Sequence, residues 1–273
     1  MAKFTRTRFN FIEQIAWWEG QINASHLMVK FNITRASASN ILKDYRAKHP
    51  TNLLYHASSK AFLATANFIT NTDLTHFERY LALINDEQTA ENINICAFEV
   101  EAPLRNISAT QVRPILKALR EKLALDIGYI SLSSPDYLDR IIEPHALIFD
   151  GLRWHVRAYC RKNQAFRDFS LSRFNGVAEF EGKAEHSAKE DDTWQTFVDV
   201  VIQADPRLTP KQQEIIANDF QMQKGIKTIS TRAALVNYLL LRLRIDGYKN
   251  TPEEQQIILT PECQKRISKY LPK

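Results

Sequence analysis

Cysteine is scarce in this chain of 273 residues, and its apolar runs are short. The three cysteines, Cys96, Cys160 and Cys263, are far apart, odd in number and outside any CxxC or Cys/His ligand spacing. This pattern indicates neither a disulfide framework nor a zinc site. No apolar run approaches the ~18 residues of a membrane span, and the first residues, MAKFTRTRFNF, lack the apolar segment of a signal peptide. We therefore expect a cytoplasmic protein with no membrane partner.

The motifs of common enzyme classes are missing as well. The sequence has no HExxH, GxSxG, P-loop or GxGxxG motif, and Pro135-Asp136 is not followed by the Glu-x-Lys of a restriction-type metal site. The seven histidines show no ligand spacing. We therefore expect no catalytic residues, no metal site and no cofactor. A metal-dependent nuclease stays open as an alternative, because basic surfaces also suit nucleic-acid cleavage.

Positive charge is unevenly distributed along the chain. The net charge is +5, and residues 1–70 contain nine lysines and arginines against three acidic residues, whereas the remainder is nearly balanced. A second basic segment, residues 140–173, has seven basic residues against three acidic ones. Because neutralising phosphates supplies most of the non-specific affinity for nucleic acids, this distribution favours a nucleic-acid-binding N-terminal domain.

The first seventy residues have the spacing of a winged helix-turn-helix domain. A first helix ends at Gly20, Asn23 is a candidate N-cap for a second helix, and Asn32 can end that helix in the left-handed conformation. Thr34 is the candidate N-cap of a third helix, which ends before His49-Pro50. The apolar stripe of the third helix is Ala38, Ile41, Leu42 and Tyr45. The segment NLLYHASSKAFLA predicts a hairpin in the wing position.

The opposite face of the third helix has small or hydrogen-bonding side chains, which allow a helix to approach base edges closely. Asn40 can pair with adenine through two hydrogen bonds, and Lys43 can contact the DNA backbone. The predicted DNA contacts are Arg35, Ser37, Ser39, Asn40 and Lys43 in this helix and Ser59 and Lys60 in the hairpin. The alternative is an exposed helix that is polar without binding DNA.

The rest of the chain predicts a helical connector, a small β-barrel and a C-terminal α+β domain, so the expected fold class is multidomain α+β. The domains expected are 1–70, 71–124, 125–190 and 191–273. In the connector, Ser108 and Gln111 match a capping box before an amphipathic helix. The next region predicts a small β-barrel, in which Asp150-Gly151 forms a two-residue hairpin turn. Its strands are 126–132, 140–149, 153–160 and 166–174. The last region is predicted to form a strand at 194–202, a helix at 209–221, a strand at 225–230 and a helix at 231–243.

Arginines recur on two neighbouring strands of the predicted barrel. In RWHVRAYC, the apolar row Trp154, Val156, Ala158, Cys160 alternates with a polar row. In RDFSLSRF, Arg167 and Arg173 alternate with Asp168. If the two rows share a face, they form an anion pocket, because arginine donates paired hydrogen bonds to phosphate. Its members would be His155, Arg157, Tyr159, Arg167 and Arg173. The alternative is a solvated basic face with Asp168 and Glu143 as ion-pair partners.

The chain resembles bacterial WYL-domain transcriptional regulators, in particular the subgroup associated with BREX and CBASS anti-phage defence. FIEQIAWWEGQINASHLMVKFNITRASASNILKDY is similar to the DNA-binding domain of that subgroup, and GLRWHVRAYC with FRDFSLSRF is similar to its ligand-sensing barrel. This chain has Trp154-His155-Val156 where the family has Trp-Tyr-Leu. The resemblance implies a sensor pocket that includes Ser131, His155, Arg157, Tyr159, Arg167 and Arg173. It also implies an SH3/Sm-like barrel and a C-terminal dimerisation domain.

The resemblance and the charge pattern together predict a homodimeric repressor bound to an inverted-repeat operator in double-stranded DNA. An anionic effector, a nucleotide or oligonucleotide, would bind the barrel and release the DNA, and the regulated genes would belong to a phage-defence operon. A ligand-dependent activator and a passive nucleic-acid-binding module stay open as alternatives.

Overall fold

The computed structural model describes residues 2–70, 72–84, 103, 105–132 and 134–271. The chain divides into two compact units, Met1–Glu101 and Ala102–Lys273. No helix within the described ranges is long and apolar enough to cross a membrane. The domain boundaries expected after residues 70, 124 and 190 stay predictions.

The first unit combines helices with a three-stranded antiparallel sheet. Its elements are α1 (Ala2–Glu19), β1 (Gln21–Ile22), α2 (Ala24–Phe31), α3 (Arg35–Lys48), β2 (Leu53–His56), β3 (Ala61–Ala64), a 3-10 turn (Thr72–Thr75) and α4 (Phe77–Ile84). The strand order is β1-β3-β2, so β2 and β3 form the predicted wing hairpin. In the predicted helical connector, α4 ends at Ile84, and residues 85–102 lie outside the described ranges.

The predicted caps set the turn between α2 and α3. The Asn23 side chain accepts a hydrogen bond from the backbone N–H of His26, while the Asn23 backbone N–H donates to His26 Nδ1 at 3.1 Å. Asn32 ends α2 with a φ of 47°, and Thr34 Oγ1 accepts the backbone N–H of Ser37 at 3.3 Å. The apolar stripe of α3 is buried against α1, as predicted: Ala38, Ile41, Leu42 and Tyr45. One face of α3 is therefore left for solvent.

The second unit contains a five-stranded sheet followed by a smaller α+β region. Its elements are α5 (Ala109–Glu121), β4 (Leu123–Ser131), β5 (Ser134–Phe149), β6 (Trp154–Cys160), β7 (Ala165–Ser170), β8 (Phe174–Lys183), α6 (Asp192–Gln195), β9 (Phe197–Ala204), α7 (Pro210–Asp219), β10 (Ile226–Arg232), α8 (Val236–Arg242), α9 (Pro252–Gln255), β11 (Ile257–Leu259) and α10 (Pro261–Ile267). The larger sheet has the order β7-β6-β5-β4-β8, and the smaller has the order β10-β9-β11.

The multidomain α+β fold class is confirmed, with one difference in the central sheet. The predicted SH3/Sm-like barrel is an open sheet, because its edge strands β7 and β8 do not pair with each other within the described ranges. Ile115 and Ala118 of α5 pack on the same core as Val156, Ala158 and Cys160 of β6. The apolar row of β6 from Val156 onward is therefore buried, as its alternation predicts.

Three predicted elements differ from the structure in their continuity or in where they begin. The strand predicted at 166–174 is interrupted by a 3-10 turn, Leu171–Arg173, because the chain leaves β7 at one edge of the sheet and enters β8 at the other. The strand predicted from residue 194 begins at Phe197, because Asp191 caps the short helix α6. The helix predicted from residue 231 begins later, because β10 continues to Arg232 and pairs with Phe197.

Two predicted local motifs are also replaced by other contacts. The capping box at Ser108 is absent, because the Ser108 hydroxyl bonds to Thr110 Oγ1 at 2.6 Å and the Gln111 amide donates to the carbonyl of Gly176 at 2.6 Å. The β5–β6 turn is one residue later than predicted: Asp150 N donates to the carbonyl of Arg153, and only Gly151 of that loop has a positive φ, 102°.

Candidate functional site

A groove in the first unit brings α3 and the wing hairpin together. It has a volume of about 550 Å3 and is lined in part by Arg35 and Ser39 of α3 and by Ser59 and Lys60 of the wing. None of the described residues that line it is acidic. Arg35, Ser39, Ser59 and Lys60 are all exposed. Together these four residues present two cations and two hydroxyls, a combination suited to phosphate groups.

The other predicted DNA contacts lie on the solvent face of α3. Ser37, Asn40 and Lys43 are exposed. Ser37 Oγ lies 3.0 Å from Thr34 Oγ1, so this hydroxyl is shared with the N-cap of the helix. Within the described ranges, Arg35, Lys43 and Lys60 form no ion pair with a carboxylate. Their charges are therefore available to an external anion.

In the second unit, the polar row of β6 is buried rather than solvated, and Arg157 is its centre. Arg157 donates to Asp191 through Nε at 2.5 Å and through Nη2 at 3.0 Å. Its Nη1 donates to Asp168 Oδ1 at 2.9 Å, and its Nη2 also donates to the Thr193 hydroxyl at 2.7 Å. The Arg157 side chain is 7% exposed and that of Asp191 is 2% exposed. The guanidinium therefore has a full set of internal partners.

A segment between β8 and β9 covers this polar row. We call residues 184–195 the strap. Near its start, Glu143 of β5 accepts hydrogen bonds from the backbone N–H groups of Glu185 and His186, at 2.9 and 2.6 Å. The His186 ring stacks on Tyr159 with centroids 3.6 Å apart. Near its end, Asp191 holds Arg157. The strap is thus attached to the central sheet at both ends.

Helix α8 covers the other part of the row. The Tyr238 hydroxyl donates to Asp168 Oδ2 at 2.9 Å, and its ring contacts the His155 ring with centroids 5.2 Å apart. His155 Nε2 lies 2.9 Å from Asp150 Oδ2. The polar row of β6 therefore links the central sheet to the C-terminal region through Asp191 and Tyr238.

Burial and hydrogen bonding shift the titration of this cluster. Burial acts to lower the pKa of Arg157, but its hydrogen bonds and charge interactions with Asp191 and Asp168 outweigh burial and raise that pKa. Burial acts to raise the pKa of Asp191, but the Arg157 guanidinium holds it below its ordinary value. Burial lowers the pKa of His145, whose Nε2 lies 3.1 Å from Asp191 Oδ2, and thus favours its neutral form.

The predicted sensor residues are only partly brought together. Arg157 lies directly opposite Asp168, whereas Arg167 pairs with Ala158 and is exposed. The condition set for the anion pocket, that the two arginine rows share a face, is therefore not met for Arg167, because alternation along β7 places Asp168 opposite Arg157. The predicted convergence of arginines on one anion is replaced by an arginine between two carboxylates.

The remaining predicted sensor residues lie around the same sheet. His155 and Tyr159 are on β6 beside Arg157; the His155 ring contacts the tilted ring of Tyr238, and the Tyr159 ring stacks on His186. Arg173 is half-buried in the 3-10 turn that follows β7. Ser131 ends β4 and pairs with Ser134, at the end of β5 opposite to the part that pairs with β6. Ser131 is thus not brought next to Arg157.

Sequence reasoning missed the residues that complete the polar cluster. Asp191, Thr193 and Tyr238 were not predicted, because Asp191 is 34 residues from Arg157 and Tyr238 is 70 residues from Asp168. The only available signal was the pair Asp168 and Glu143, foreseen as ion-pair partners of the basic row. Both do form ion pairs: Asp168 with Arg157, and Glu143 with Arg161 at 2.7 Å.

Three family models match successive parts of the chain. Residues 5–86 match the BrxR transcriptional regulator winged helix-turn-helix domain, residues 111–179 match the WYL domain, and residues 197–267 match the BrxR transcriptional regulator C-terminal dimerization domain. The resemblance predicted from the sequence is thereby confirmed.

Curated relatives match over nearly the whole length. The DNA-binding transcriptional repressor CapW of Pseudomonas aeruginosa is 37% identical over 262 residues, which cover 92% of this chain and 87% of that protein. The proteins of the same name from Stenotrophomonas maltophilia and Escherichia coli are 30% and 34% identical, over 92% of this chain and 88% and 87% of theirs. This chain belongs to the CapW family of transcriptional repressors, with a BrxR-type winged helix domain, a WYL domain and a C-terminal dimerisation domain.

Proposed function

We propose that this protein is a homodimeric repressor that binds an inverted-repeat operator and is released from it by an anionic effector. In this proposal, α3 enters the major groove and the wing contacts the adjacent backbone. The observation that carries the DNA-binding role is the groove that joins Arg35 and Ser39 of α3 to Ser59 and Lys60 of the wing. Backbone contacts of this kind orient a recognition helix, while contacts to base edges provide sequence preference.

The dimer would set the spacing of the two half-sites. The C-terminal region matches a dimerisation domain, and two copies of α3 would then meet successive major grooves about 34 Å apart, or a multiple of that distance. A palindromic operator is the DNA counterpart of this two-fold symmetry. The relatives named CapW support a repressor, and the WYL domain on which Arg157 lies is the proposed sensor.

The effector would carry a phosphate, as a nucleotide or an oligonucleotide does. Arg157 is the only arginine in the predicted sensor set for which the described structure has a paired hydrogen bond to a carboxylate, a geometry that a phosphate can also accept. An effector can release DNA only if it binds the DNA-incompetent arrangement more tightly than the DNA-bound one, with coupling usually of about 1 to 3 kcal/mol. We propose that the regulated genes form a phage-defence operon.

The first experiment is a binding titration with labelled DNA from upstream of the protein's own gene against scrambled DNA of the same composition. We expect preference for the upstream fragment and a steep fall of affinity with salt, because several phosphates are neutralised. Equal affinity for both DNAs at every salt concentration would contradict sequence-specific regulation. Loss of labelled DNA that requires Mg²⁺ would instead favour the nuclease.

A reporter under the same upstream DNA distinguishes a repressor from an activator. Deleting the gene for this protein should raise reporter expression if it represses, and adding the gene back should lower expression again. A fall in expression on deletion would contradict repression and favour the ligand-dependent activator.

A further inference from the structure

The site proposed for the effector is already filled by the chain itself. Asp191 accepts two hydrogen bonds from Arg157, and Asp168 accepts a third. With His145 in its neutral form, one guanidinium stands between two carboxylates, and this group has a net charge of about −1. Such a face repels an incoming anion instead of attracting it. An effector can reach Arg157 only by replacing one of the two carboxylates.

Asp191 is the carboxylate that can leave. Asp168 belongs to β7 and is fixed by strand pairing to Arg157, as well as by the hydroxyl of Tyr238. Asp191 belongs to the strap, outside the sheet, and its two oxygens occupy Nε and Nη2 of the guanidinium. This pair of donors is the fork with which arginine also binds phosphate.

We propose that Asp191 is a built-in competitor for the effector, so that a phosphate group binds Arg157 by displacing the Asp191 carboxylate and with it the end of the strap. This inference rests on the proposed function, and it concerns how the same site is regulated. Displacement must carry Asp191 toward water, because a buried carboxylate without its partner is strongly destabilising. Effector binding and movement of the strap are therefore one event.

The structure connects that event to the dimerisation domain. Asp191 Oδ1 also accepts the backbone N–H of Trp194 at 3.1 Å and so caps α6. Strand β9 begins at Phe197, directly after α6, and the Arg232 guanidinium of β10 lies over both the Trp194 and Phe197 rings, 4.7 Å from each centroid. Displacing Asp191 would remove the N-cap of α6 and so destabilise the short helix that connects the strap to β9.

The test is phosphate binding by the full-length Asp191→Asn variant, measured by calorimetry without DNA at constant ionic strength. Asparagine keeps the shape of the side chain and removes the competing charge. We expect this variant to bind inorganic phosphate at least about fivefold more tightly than the parent, the lower end of ordinary coupling between sites. AMP and the dinucleotide d(pTpT), as further probes, separate a nucleotide effector from an oligonucleotide.

A matched control removes the neighbouring carboxylate of the strap. Asp192 directly follows Asp191, is exposed and is not among the groups that bond to Arg157. Asp192→Asn removes the same charge without freeing the arginine fork, so it should leave phosphate affinity unchanged. A second variant, Thr193→Val, keeps both charges and deletes the hydroxyl that bonds to Arg157 and Asp191, so it should shift affinity in the same direction by less.

The outcomes separate this inference from the proposed function. If the parent shows no preference for its upstream DNA, the proposed function fails, whatever the phosphate data. If the parent selects that DNA but Asp191→Asn and Thr193→Val bind phosphate no more tightly than the parent, only the competitor role fails. If Asp191→Asn does not fold, the phosphate titration of Thr193→Val becomes the test. A phosphate affinity of Thr193→Val equal to that of the parent would then overturn the proposal.

Discussion

Asn52 and Tyr45 join the start of the wing to α3 through a buried hydrogen bond, from Asn52 Nδ2 to the Tyr45 hydroxyl at 2.8 Å. The hydroxyl in turn donates to Glu13 of α1 at 3.4 Å, and Glu13 accepts from Thr70 at 2.7 Å. Asn52 also bonds to the backbone of Ile69 through both ends of its amide. Helix α3, the wing and the segment that leaves it are therefore held by one polar network.

Replacing Tyr45 by phenylalanine should destabilise the N-terminal unit by about 1 to 3 kcal/mol, because it leaves buried polar partners unsatisfied. Urea unfolding followed by tryptophan fluorescence measures the change, since Trp17 and Trp18 lie in α1. Tyr55→Phe is the matched control on the wing, where the side chain is half exposed. Equal stability of the two variants would contradict a structural role for the network.

Arg157→Ala and Arg167→Ala should differ sharply, although the two residues lie on neighbouring strands. Removing Arg157 leaves the buried Asp191 and the partly buried Asp168 without their cation and should cost about 3 to 5 kcal/mol of unfolding free energy. Removing the exposed Arg167 should change stability by less than about 0.5 kcal/mol. Urea unfolding followed by circular dichroism makes the comparison. Similar losses in both variants would refute the assignment of Arg157 to an internal ion-pair cluster.

The parts of the fold that the sequence predicted correctly are those determined by neighbouring residues. Asn23 and Thr34 were identified as caps because an N-cap acts on backbone groups two or three residues away. The buried stripe of α3 followed from helical periodicity in the same way. Local geometry was sufficient for the winged helix, and the exposure of Asn40 and Lys43 follows from it.

The polar face of β6 could not be predicted, because its partners are distant in sequence. The alternation of apolar and polar residues along β6 distinguishes the two faces of the strand, but it does not show which part of the chain covers the polar face. Here the strap and α8 cover it, and Asp191 and Tyr238 satisfy groups that otherwise would need water. The sequence also could not show whether the arginines of β6 and β7 share a face of the sheet. The register between these two strands places Asp168, not Arg167, opposite Arg157.

Glu143→Gln should make the protein less sensitive to acid. Burial acts to raise the pKa of Glu143, but hydrogen bonds from Arg161 and His186 lower it below 4.5. A carboxylate with a lowered pKa in the folded state adds stability that is complete above its ordinary pKa and is lost as pH falls through the lowered value. At pH 7 the variant should be less stable by about 1 to 3 kcal/mol, and the difference from the parent should shrink below pH 4.5.

The urea concentration at the midpoint of unfolding, measured for the parent and for Glu143→Gln between pH 7 and pH 3, tests this prediction. Glu185→Gln is the control, because Glu185 also pairs with Arg161, at 3.5 Å, but is largely exposed. Its midpoints should follow those of the parent at every pH. A constant gap between Glu143→Gln and the parent across the whole range would show that Glu143 contributes by packing and not by charge.

Asn40→Ala and Lys43→Ala should weaken DNA binding in different ways, because the two side chains are predicted to contact different parts of DNA. Asn40 faces solvent on α3, and losing a paired contact to adenine should remove about 1 to 3 kcal/mol of preference for the operator over random DNA. Lys43→Ala should weaken binding to both DNAs equally and lower the salt slope by about one. Fluorescence anisotropy with operator and scrambled DNA across a salt series measures both effects. Unchanged preference in Asn40→Ala would remove Asn40 from base recognition, and the exposed face of α3 would then be polar for solubility alone.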